Sequence, residues 1–375
     1  MWNVRRCSTI GSSYGSLKRT RTGKIGLIRE AHFAANLKKA LFLICLAVVL
    51  ASASGVIITL GQVPVTVSEV CCALLNRLIQ GHFPINPIID HVVWNIRLPL
   101  ILGAIITGFG LGVCGCVMQA VLKNPMASPF TLGIASGAHF GISLAAVFGI
   151  TILHGPYFLV GNAFLCALLC SGFIITLSAF KGATSETLIL AGIAVNYLFQ
   201  ATNQFFNYLA DDEQRTVMSF WGMGSLADLN WHSIWFLASV SVVCIPLLYS
   251  KAWDLNLMTV GDESAKSMGV DATFVRILVM VVASLLVAAI VAFIGVVGFV
   301  GLVAPHIGRI ILGNDHRYLI PAAGGIGGAL LLIANAVSMN LLGAVVIPTG
   351  IVMSIIGVPL FMYLILKGKR REYWS

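Results

Sequence analysis

Charged residues are scarce in this sequence. Only 10% of its 375 residues are Asp, Glu, Lys or Arg, whereas 58% are hydrophobic, and the mean hydropathy is +0.94. Soluble domains carry about a quarter charged residues, so this composition excludes an ordinary soluble protein. Uninterrupted apolar runs of roughly 20 residues recur along the chain, and each could cross the hydrocarbon core of a bilayer. Because these runs do not alternate with polar residues, they favour helices over a β-barrel and predict an all-α integral membrane protein.

Sites for covalent chemistry are missing as well. The sequence has no G-x-x-x-x-G-K-[ST] phosphate loop, so ATP–Mg could act only through a separate partner chain. The nine cysteines lack a metal-type spacing with histidines, and we interpret most of them as small buried hydrophobes. No nucleophile–base cluster lies in the apolar runs. We therefore predict that this chain has no catalytic residues, no metal site, no cofactor and no enzyme activity of its own.

The charges that are present lie mostly at the two ends. Nine basic residues and one acid precede residue 40, and four basic residues follow residue 366. Lys and Arg beside a span mark the cytoplasmic side of a membrane, so both termini are predicted to be cytoplasmic and the number of spans to be even. We divide the chain into a basic N-terminal extension (1–38), a polytopic domain (39–367) and a short C-terminal tail (368–375). Topology explains the basic balance, so no nucleic-acid binding is inferred.

Ten apolar segments satisfy the even count. Alternation from a cytoplasmic N-terminus places 210–231 outside and 251–272 inside, which agrees with the acids in the first loop and the lysines in the second. The ten segments lie near residues 40–61, 98–121, 131–153, 156–180, 187–209, 232–250, 273–297, 299–312, 319–341 and 347–366, and the eighth is short enough to be a half-span.

The fifth apolar segment carries a stripe of amide side chains. At 100° per residue, its five amides fall within about one third of the helix circumference. Amides that faced lipid would leave hydrogen-bonding groups unsatisfied, so they must face protein or water. They are Asn196, Gln200, Asn203, Gln204 and Asn207.

Two interpretations of the stripe remain open. Amides can join packed membrane helices by hydrogen bonds, or they can line a wet path in which a polar solute binds weakly enough to leave. Five amides on one face favour the path. The spans hold almost no ionisable residues, which argues against a proton- or sodium-coupled carrier. An ATP-independent channel or carrier stays as an alternative to a transporter that is driven by a partner.

Several segments resemble those of the FecCD-type ABC transporter permeases. The stretch 97–141 resembles the family pattern R-L-P…Q…N-P-L-A-x-P…L-G, and 221–226, WGMGSL, resembles W-x-x-G-S-L. The segment 255–270 resembles L-N-x-L-x-L-G-x-x-x-A-x-x-L-G-V, and 298–321 with 347–361 complete the set. The resemblance runs in order from about residue 40 to residue 367.

The resemblance implies the architecture of an ABC type II importer permease with ten spans per subunit. It implies a pair of permease subunits, here expected to be a homodimer in the lipid of the cytoplasmic membrane. It further implies two ATPase subunits inside and a substrate-binding protein outside. The family carries iron–siderophore chelates, haem or cobalamin, of which we favour an iron–siderophore complex. In such transporters the fifth and tenth spans line the path, so the amide stripe coincides with the implied path.

The resemblance also assigns roles to single positions. The loop 251–272 corresponds to the segment that docks on the ATPase, with Gly261, Ala265 and Gly269 at the motif positions. On the tenth segment, Gly350 and Gly357 share one face, where small residues would permit a dimer contact or widen the path.

Three motifs depart from the family pattern, and each departure removes charge. Leu100 stands where the family often has Arg, Asn335 and Met339 stand where it has Asp and Arg, and Val346 stands where it has Glu. Family arginines at the outer surface pair with glutamates of the binding protein, and of these only Arg97 is retained. We therefore expect Arg97 to dock the binding protein, with fewer salt bridges than in the family at large or with a different set. Candidate replacements are Arg77, Asp90 and the acidic run 211–213.

Overall fold

The computed structural model describes residues 8–79, 83–152, 154–155, 157–343 and 345–367. The predicted C-terminal tail, 368–375, lies outside the described residues. The chain divides into two compact units, residues 1–45 and 46–375. Helix α1 (Ser8–Ile57) runs across the boundary at residue 45. It contains all described residues of the first unit, and its last residues belong to the second unit.

Helices form nearly all of the described chain, which confirms the predicted all-α class. Apart from one isolated bridge between Leu342 and Val345, the described ranges contain no β-structure. After α1 the helices are α2 (Val67–Leu78), α3 (Pro87–His91), a π-helical turn (Val92–Arg97), α4 (Leu98–Val121), α5 (Ile134–Phe148), α6 (Phe158–Ala179), α7 (Ser185–Leu209), α8 (Asp212–Met223), α9 (Trp231–Ser250), α10 (Ala252–Val260), α11 (Asp262–Ser267), α12 (Ala272–Ile294), α13 (Val300–Leu312), α14 (His316–Asn340) and α15 (Thr349–Lys367).

Each of the ten predicted apolar segments corresponds to one helix. Six helices in the described part of the chain are long and apolar enough to cross a membrane, and α5, α13 and α15 are shorter apolar helices. The count of ten spans therefore stays a prediction. The first helix begins at Ser8, well before the predicted start near residue 40. The region 210–231, predicted only as an outer loop, contains the twelve-residue helix α8.

Glycines allow α4 to pack closely at the centre of the bundle. A methyl group on Gly112 would lie 2.1 Å from the Ala323 oxygen of α14, and one on Gly108 would lie 2.4 Å from the Gly327 oxygen. Gly115 approaches α13 in the same way, at Gly301. Small residues bring membrane helices into backbone contact, where van der Waals packing replaces a hydrophobic driving force. α4 is therefore the helix around which α13 and α14 are arranged.

The short helices lie at two opposite ends of the bundle. α2, α3 and α8 lie at the end where α4 begins and α7 finishes, and we call this the α8 end. α10 and α11 lie at the end where α4 finishes and α7 begins, which we call the α11 end. The predicted path residues lie along α7 between these ends, and the predicted ATPase-docking residues lie at the α11 end.

Candidate translocation face and coupling unit

Helix α7 positions the amide stripe. Its first turn is capped by Thr184, whose side chain accepts a hydrogen bond from the Thr187 backbone N–H. The helix then continues for 25 residues and ends at Leu209. Asp211 directly afterwards forms a capping box with Gln214 and starts α8. Caps at both junctions fix where α7 begins and where the chain turns, because they satisfy backbone donors that the helix itself leaves open.

Two of the five amides join α7 to α5. The Asn203 side chain is 7% exposed; its Oδ1 accepts from Ser143 Oγ at 3.2 Å and its Nδ2 donates to the Ser136 carbonyl at 3.2 Å. One end of the stripe is held by Asn196, whose Oδ1 accepts from Ser136 Oγ. These bonds are the contacts expected of amides between packed membrane helices.

The other three amides face away from the bundle. Gln200, Gln204 and Asn207 are all exposed in the single chain. They lie on one side of α7, next to the face that packs on α5. The stripe therefore divides into two packed amides and three open ones. The structure brings all five onto one helix face. The packing interpretation describes the two packed amides, and the path interpretation stays a prediction for the three open ones.

A cavity lies beside the open amides toward the α11 end. It has a volume of about 360 Å³ and lies between the loop 124–132 and α7. Asn124 and Thr131 contribute polar groups from the loop, and Asn196 and Gln200 contribute theirs from α7, while Ile193 and other apolar residues complete the wall. No Asp, Glu, Lys or Arg lines this cavity. It can hold a polar solute through neutral hydrogen-bonding groups.

Arg97 does not reach the surface at the α8 end. Its side chain is 4% exposed, and its guanidinium donates to the carbonyl oxygens of Ile58 and Val63 in the connection between α1 and α2. The structure thus contradicts the expectation of a solvent-facing arginine, because both bonded nitrogens point into the chain's own backbone. A docking role in contact with a binding protein is not tested by this arrangement and stays a prediction.

The departures from the family pattern meet in one place. Leu100, Asn335, Met339 and Val346 all line a cavity of about 220 Å³ at the α8 end, together with Arg97. Helices α4 and α14, the π-helical turn and the loop before α15 bring these positions together, so three changes that are separate in the sequence belong to one site. Their distant positions in the sequence gave no signal of this convergence.

Gly350 and Gly357 make contacts inside the chain. A methyl group on Gly350 would lie 2.3 Å from the Met223 oxygen and 2.7 Å from the Val296 oxygen. One on Gly357 would lie 2.7 Å from Phe299 Cβ. These contacts explain within one chain why both positions are small. The predicted dimer contact or widened path is a further role that these contacts do not test.

α10 and α11 form a compact unit at the α11 end (Ala252–Ser267), which we call the coupling unit because the sequence predicts that it docks on an ATPase. Gly261 between the two helices has φ +142°, and Gly269 after them has φ +89°, values that side chains rarely adopt. Ala265 is 0% exposed. Ala265 therefore packs inside the unit, while Gly261 and Gly269 form the turns between and after its two helices. Its outer surface is formed by exposed residues of α11 and of the following turn, among them Glu263, Lys266 and Met268.

The α10 part of the coupling unit is tied to the start of α14. Asn256 donates to Asp315 at 3.0 Å and accepts from the His316 backbone N–H at 2.9 Å. Arg317 pairs with Asp315 at 2.6 Å and lies over the Trp253 ring at 4.2 Å. Although partial burial disfavours its charge, hydrogen bonds from Arg317 and Asn256 lower the pKa of Asp315 to about 2.

The α11 part is tied by Asp262, the first residue of the helix. Its carboxylate pairs with Arg276 at 2.8 Å and with Lys123 at 2.8 Å. Partial burial opposes the charge, but hydrogen bonds from Lys123 and Arg276 hold the pKa of Asp262 below its usual range. Arg276 was not singled out from the sequence. Its only signal is that one basic residue interrupts the start of an apolar run.

In the part of the chain that the structure describes, no three His, Cys, Asp or Glu side chains cluster so that they could hold a metal ion. The site thus consists of an amide-bearing helix face, a neutral polar cavity and a coupling unit held by ion pairs, in a bundle of apolar helices. This combination defines a multi-pass membrane protein.

Comparison with known proteins gives the class and the family. The model of the FecCD transport family matches residues 41–367, so the chain belongs to this family. A protein of Methanocaldococcus jannaschii named as an ABC transporter permease is 41% identical over 343 residues, covering 89% of this chain and 96% of that protein. The hemin transport system permease of Yersinia pestis is 37% identical over 289 residues, covering 76% and 86%.

A solved structure is also similar. A transporter described as metal-chelate type, in an inward-facing conformation, matches with a TM-score of 0.77 at 30% identity, covering 88% of this chain and all of that one. The chain is therefore a permease subunit of an ABC importer of the FecCD family. Other relatives are named for molybdate, Fe(3+)-citrate and cobalamin import, so the family alone does not single out a cargo.

Proposed function

We propose that this chain pairs with a second copy in the cytoplasmic membrane and carries an iron–siderophore complex inward along the α7 face. The observation that carries the proposal is the division of α7: Asn196 and Asn203 hold the helix in place, while Gln200, Gln204 and Asn207 stay open. A helix used only for packing would bury its amides. Open amides in a membrane protein need a wet path or a partner subunit to satisfy them.

Two external partners follow from this arrangement. The coupling unit offers the exposed residues of α11 to an ATPase subunit, and Lys123, Lys181 and Lys266 at the same end of the bundle support a cytoplasmic location for that end. The α8 end would then receive a substrate-binding protein from outside. ATP–Mg would be bound by the ATPase, so this chain would contribute positioning and motion rather than covalent chemistry.

The neutral lining of the path supports the choice of cargo. An iron–siderophore complex is bulky and rich in oxygen atoms, and amides can donate to and accept from such groups without a fixed charge. Weak neutral contacts also let the cargo leave, which conduction requires. Haem is the second candidate, because the hemin permease of Yersinia pestis is 37% identical to this chain.

Purification separates the importer from the rival class, an ATP-independent channel or carrier. The full chain would be extracted in mild detergent from cells that express it at native level, and its stable partners identified by mass spectrometry. We expect an ABC ATPase in stoichiometric yield. A chain that purifies alone and still equilibrates solute across liposomes without ATP would contradict the importer.

Uptake in cells that lack the gene identifies the cargo. Radiolabelled iron would be offered as several siderophores and as haem, with labelled cobalamin alongside. We expect uptake of one ferric siderophore to be lost and to be restored by the gene. Loss of haem or cobalamin uptake alone would keep the importer mechanism and overturn the proposed cargo.

A further inference from the structure

Arg276 is a buried cation in an unusual position. It lies in the second turn of α12 and is 2% exposed. A buried charge is costly unless it is paired and its donors are satisfied. Here each of the three guanidinium nitrogens donates a hydrogen bond to a different segment of the chain, so every nitrogen of the planar group has an acceptor.

The three acceptors all lie at segment ends. Nε donates to the carbonyl of Val121, the last residue of α4, at 3.0 Å, and one terminal nitrogen donates to the carbonyl of Ala183 at 3.1 Å. The other donates to the carboxylate of Asp262, the first residue of α11, at 2.8 Å. Ala183 directly precedes Thr184, the cap of α7. One side chain therefore connects the coupling unit with the start of the amide-bearing helix.

The acceptor region is reinforced from α7 itself. Ser185, the first residue of α7, donates through its hydroxyl to the same Val121 carbonyl at 3.2 Å. Val121 thus receives hydrogen bonds from α12 and from α7. A shift of the Arg276 guanidinium would therefore change the hydrogen bonding of the Val121 carbonyl, which Ser185 at the start of α7 also contacts.

Backbone strain accompanies this connection. Ala183 has φ +49° and Lys123, two residues after Val121, has φ +47°. Among the described residues only Phe299 is a third non-glycine residue with positive φ. Such conformations are unfavourable for a residue with a side chain and persist only where the surroundings impose them. The hydrogen bond from Arg276 to Ala183 is one such constraint, so moving Arg276 would allow the turn before α7 to relax.

We propose that Arg276 is a positioning residue that transmits displacement of the coupling unit to the start of α7. The inference rests on the proposed function, because it assumes that an ATPase moves α11. Displacement of Asp262 would draw the guanidinium away from Ala183 and Val121 and release the strained turn. Lys123 binds the same carboxylate, but no bond of its side chain to α7 or to the turn before it is seen in the described residues, so it serves as the matched control.

The test uses the full complex in liposomes, with the ATPase that co-purifies. Gln204→Cys on the open face of α7 would be labelled with a fluorescent maleimide, and the labelling of the parent chain's own cysteines subtracted. The readout is the change in labelling rate between the nucleotide-free and the vanadate-trapped state. Arg276→Lys keeps the charge but removes the planar guanidinium that binds all three acceptors. We expect it to reduce this change at least about fivefold, the lower range of typical coupling between sites.

Two further variants make the outcome decisive. Asp262→Asn removes the ionic link while leaving Arg276 in place, and we expect it to weaken the nucleotide response as well. Lys123→Ala should retain the parent's response. A full response in both Arg276→Lys and Asp262→Asn would overturn the proposal, and so would a failure of both to assemble with the ATPase, since that assigns Arg276 a purely structural role. A parent chain that captures no ATPase would instead refute the proposed function, and this inference with it.

Discussion

Asn203 on α7 and Ser143 on α5 are joined by a side-chain hydrogen bond of 3.2 Å, whereas Asn207, one turn further along α7, is exposed. Because Asn203 is buried and hydrogen-bonded and Asn207 is exposed, replacing each one should affect stability differently. Asn203→Leu leaves the Ser136 carbonyl and the Ser143 hydroxyl without this partner, so we expect a loss of about 1 kcal/mol, near the typical value for membrane helix hydrogen bonds. Asn207→Leu should leave stability unchanged. Thermal unfolding of the two purified variants in detergent measures the difference, and equal melting temperatures would contradict it.

The contact between α4 and α14 predicts a strong effect of one methyl group. Gly112→Ala places Cβ 2.1 Å from the Ala323 oxygen, so the helices must separate, at a cost of about 1–3 kcal/mol. Gly172→Ala is the matched control, because nothing lies within 4 Å of its Cβ position on α6. We expect Gly112→Ala to lower the yield of monodisperse protein and its melting temperature, and Gly172→Ala to do neither. Equal behaviour would refute the close packing.

Substitution of Arg97 separates a structural role of this side chain from the predicted role in docking the binding protein. Arg97→Ala removes the donors to the Ile58 and Val63 carbonyls, and leaving buried acceptors unpaired costs about 1–3 kcal/mol each. Arg77→Ala is the control, because the Arg77 side chain is 57% exposed and its pairing with Asp90 is loose, at 3.9 Å. We expect only Arg97→Ala to lower the melting temperature. Unchanged stability together with weaker binding of the substrate-binding protein would favour the docking role predicted from the sequence.

The coupling unit should loosen in acid. The pKa of Asp315 is lowered to about 2 by hydrogen bonds from Arg317 and Asn256 that outweigh its partial burial. A carboxylate with a depressed pKa contributes stability above its unfolded pKa of about 3.9, and this is lost as the pH falls toward about 2. Asp315→Asn should therefore be less stable than the parent near neutral pH. The difference should shrink below about pH 4, as followed by thermal unfolding at several pH values. A difference independent of pH would contradict the ionic tie.

Much of the fold was predictable from the sequence, because hydropathy and helix length are local properties. Helix α7 was predicted at 187–209 and spans Ser185–Leu209. Local pattern also placed all five amides on one face. It could not divide them into packed and open members, because that division depends on Ser136 and Ser143 of α5, which lie about 60 residues away in sequence.

Long-range partners explain the remaining differences. The family resemblance predicts Arg97 at the outer surface, but its acceptors lie 39 and 34 residues earlier, in a connection whose path the sequence does not reveal. In the sequence, Arg276 is marked only as one basic residue at the start of an apolar run. Its acceptors lie in α4, in the turn before α7 and in α11, and only the packing of these segments on α12 brings them within reach.

The most direct test of the account is transport by a chain whose open amide face has been made apolar. Gln200, Gln204 and Asn207 would be replaced together by leucine, with Phe205→Leu as the control, because Phe205 is exposed on another side of the same helix. Initial uptake of the radiolabelled ferric siderophore would be measured in deletion cells at matched membrane abundance. We expect the triple variant to lose uptake while Phe205→Leu and the parent retain it. Full uptake by the triple variant would show that cargo does not cross along this face of α7.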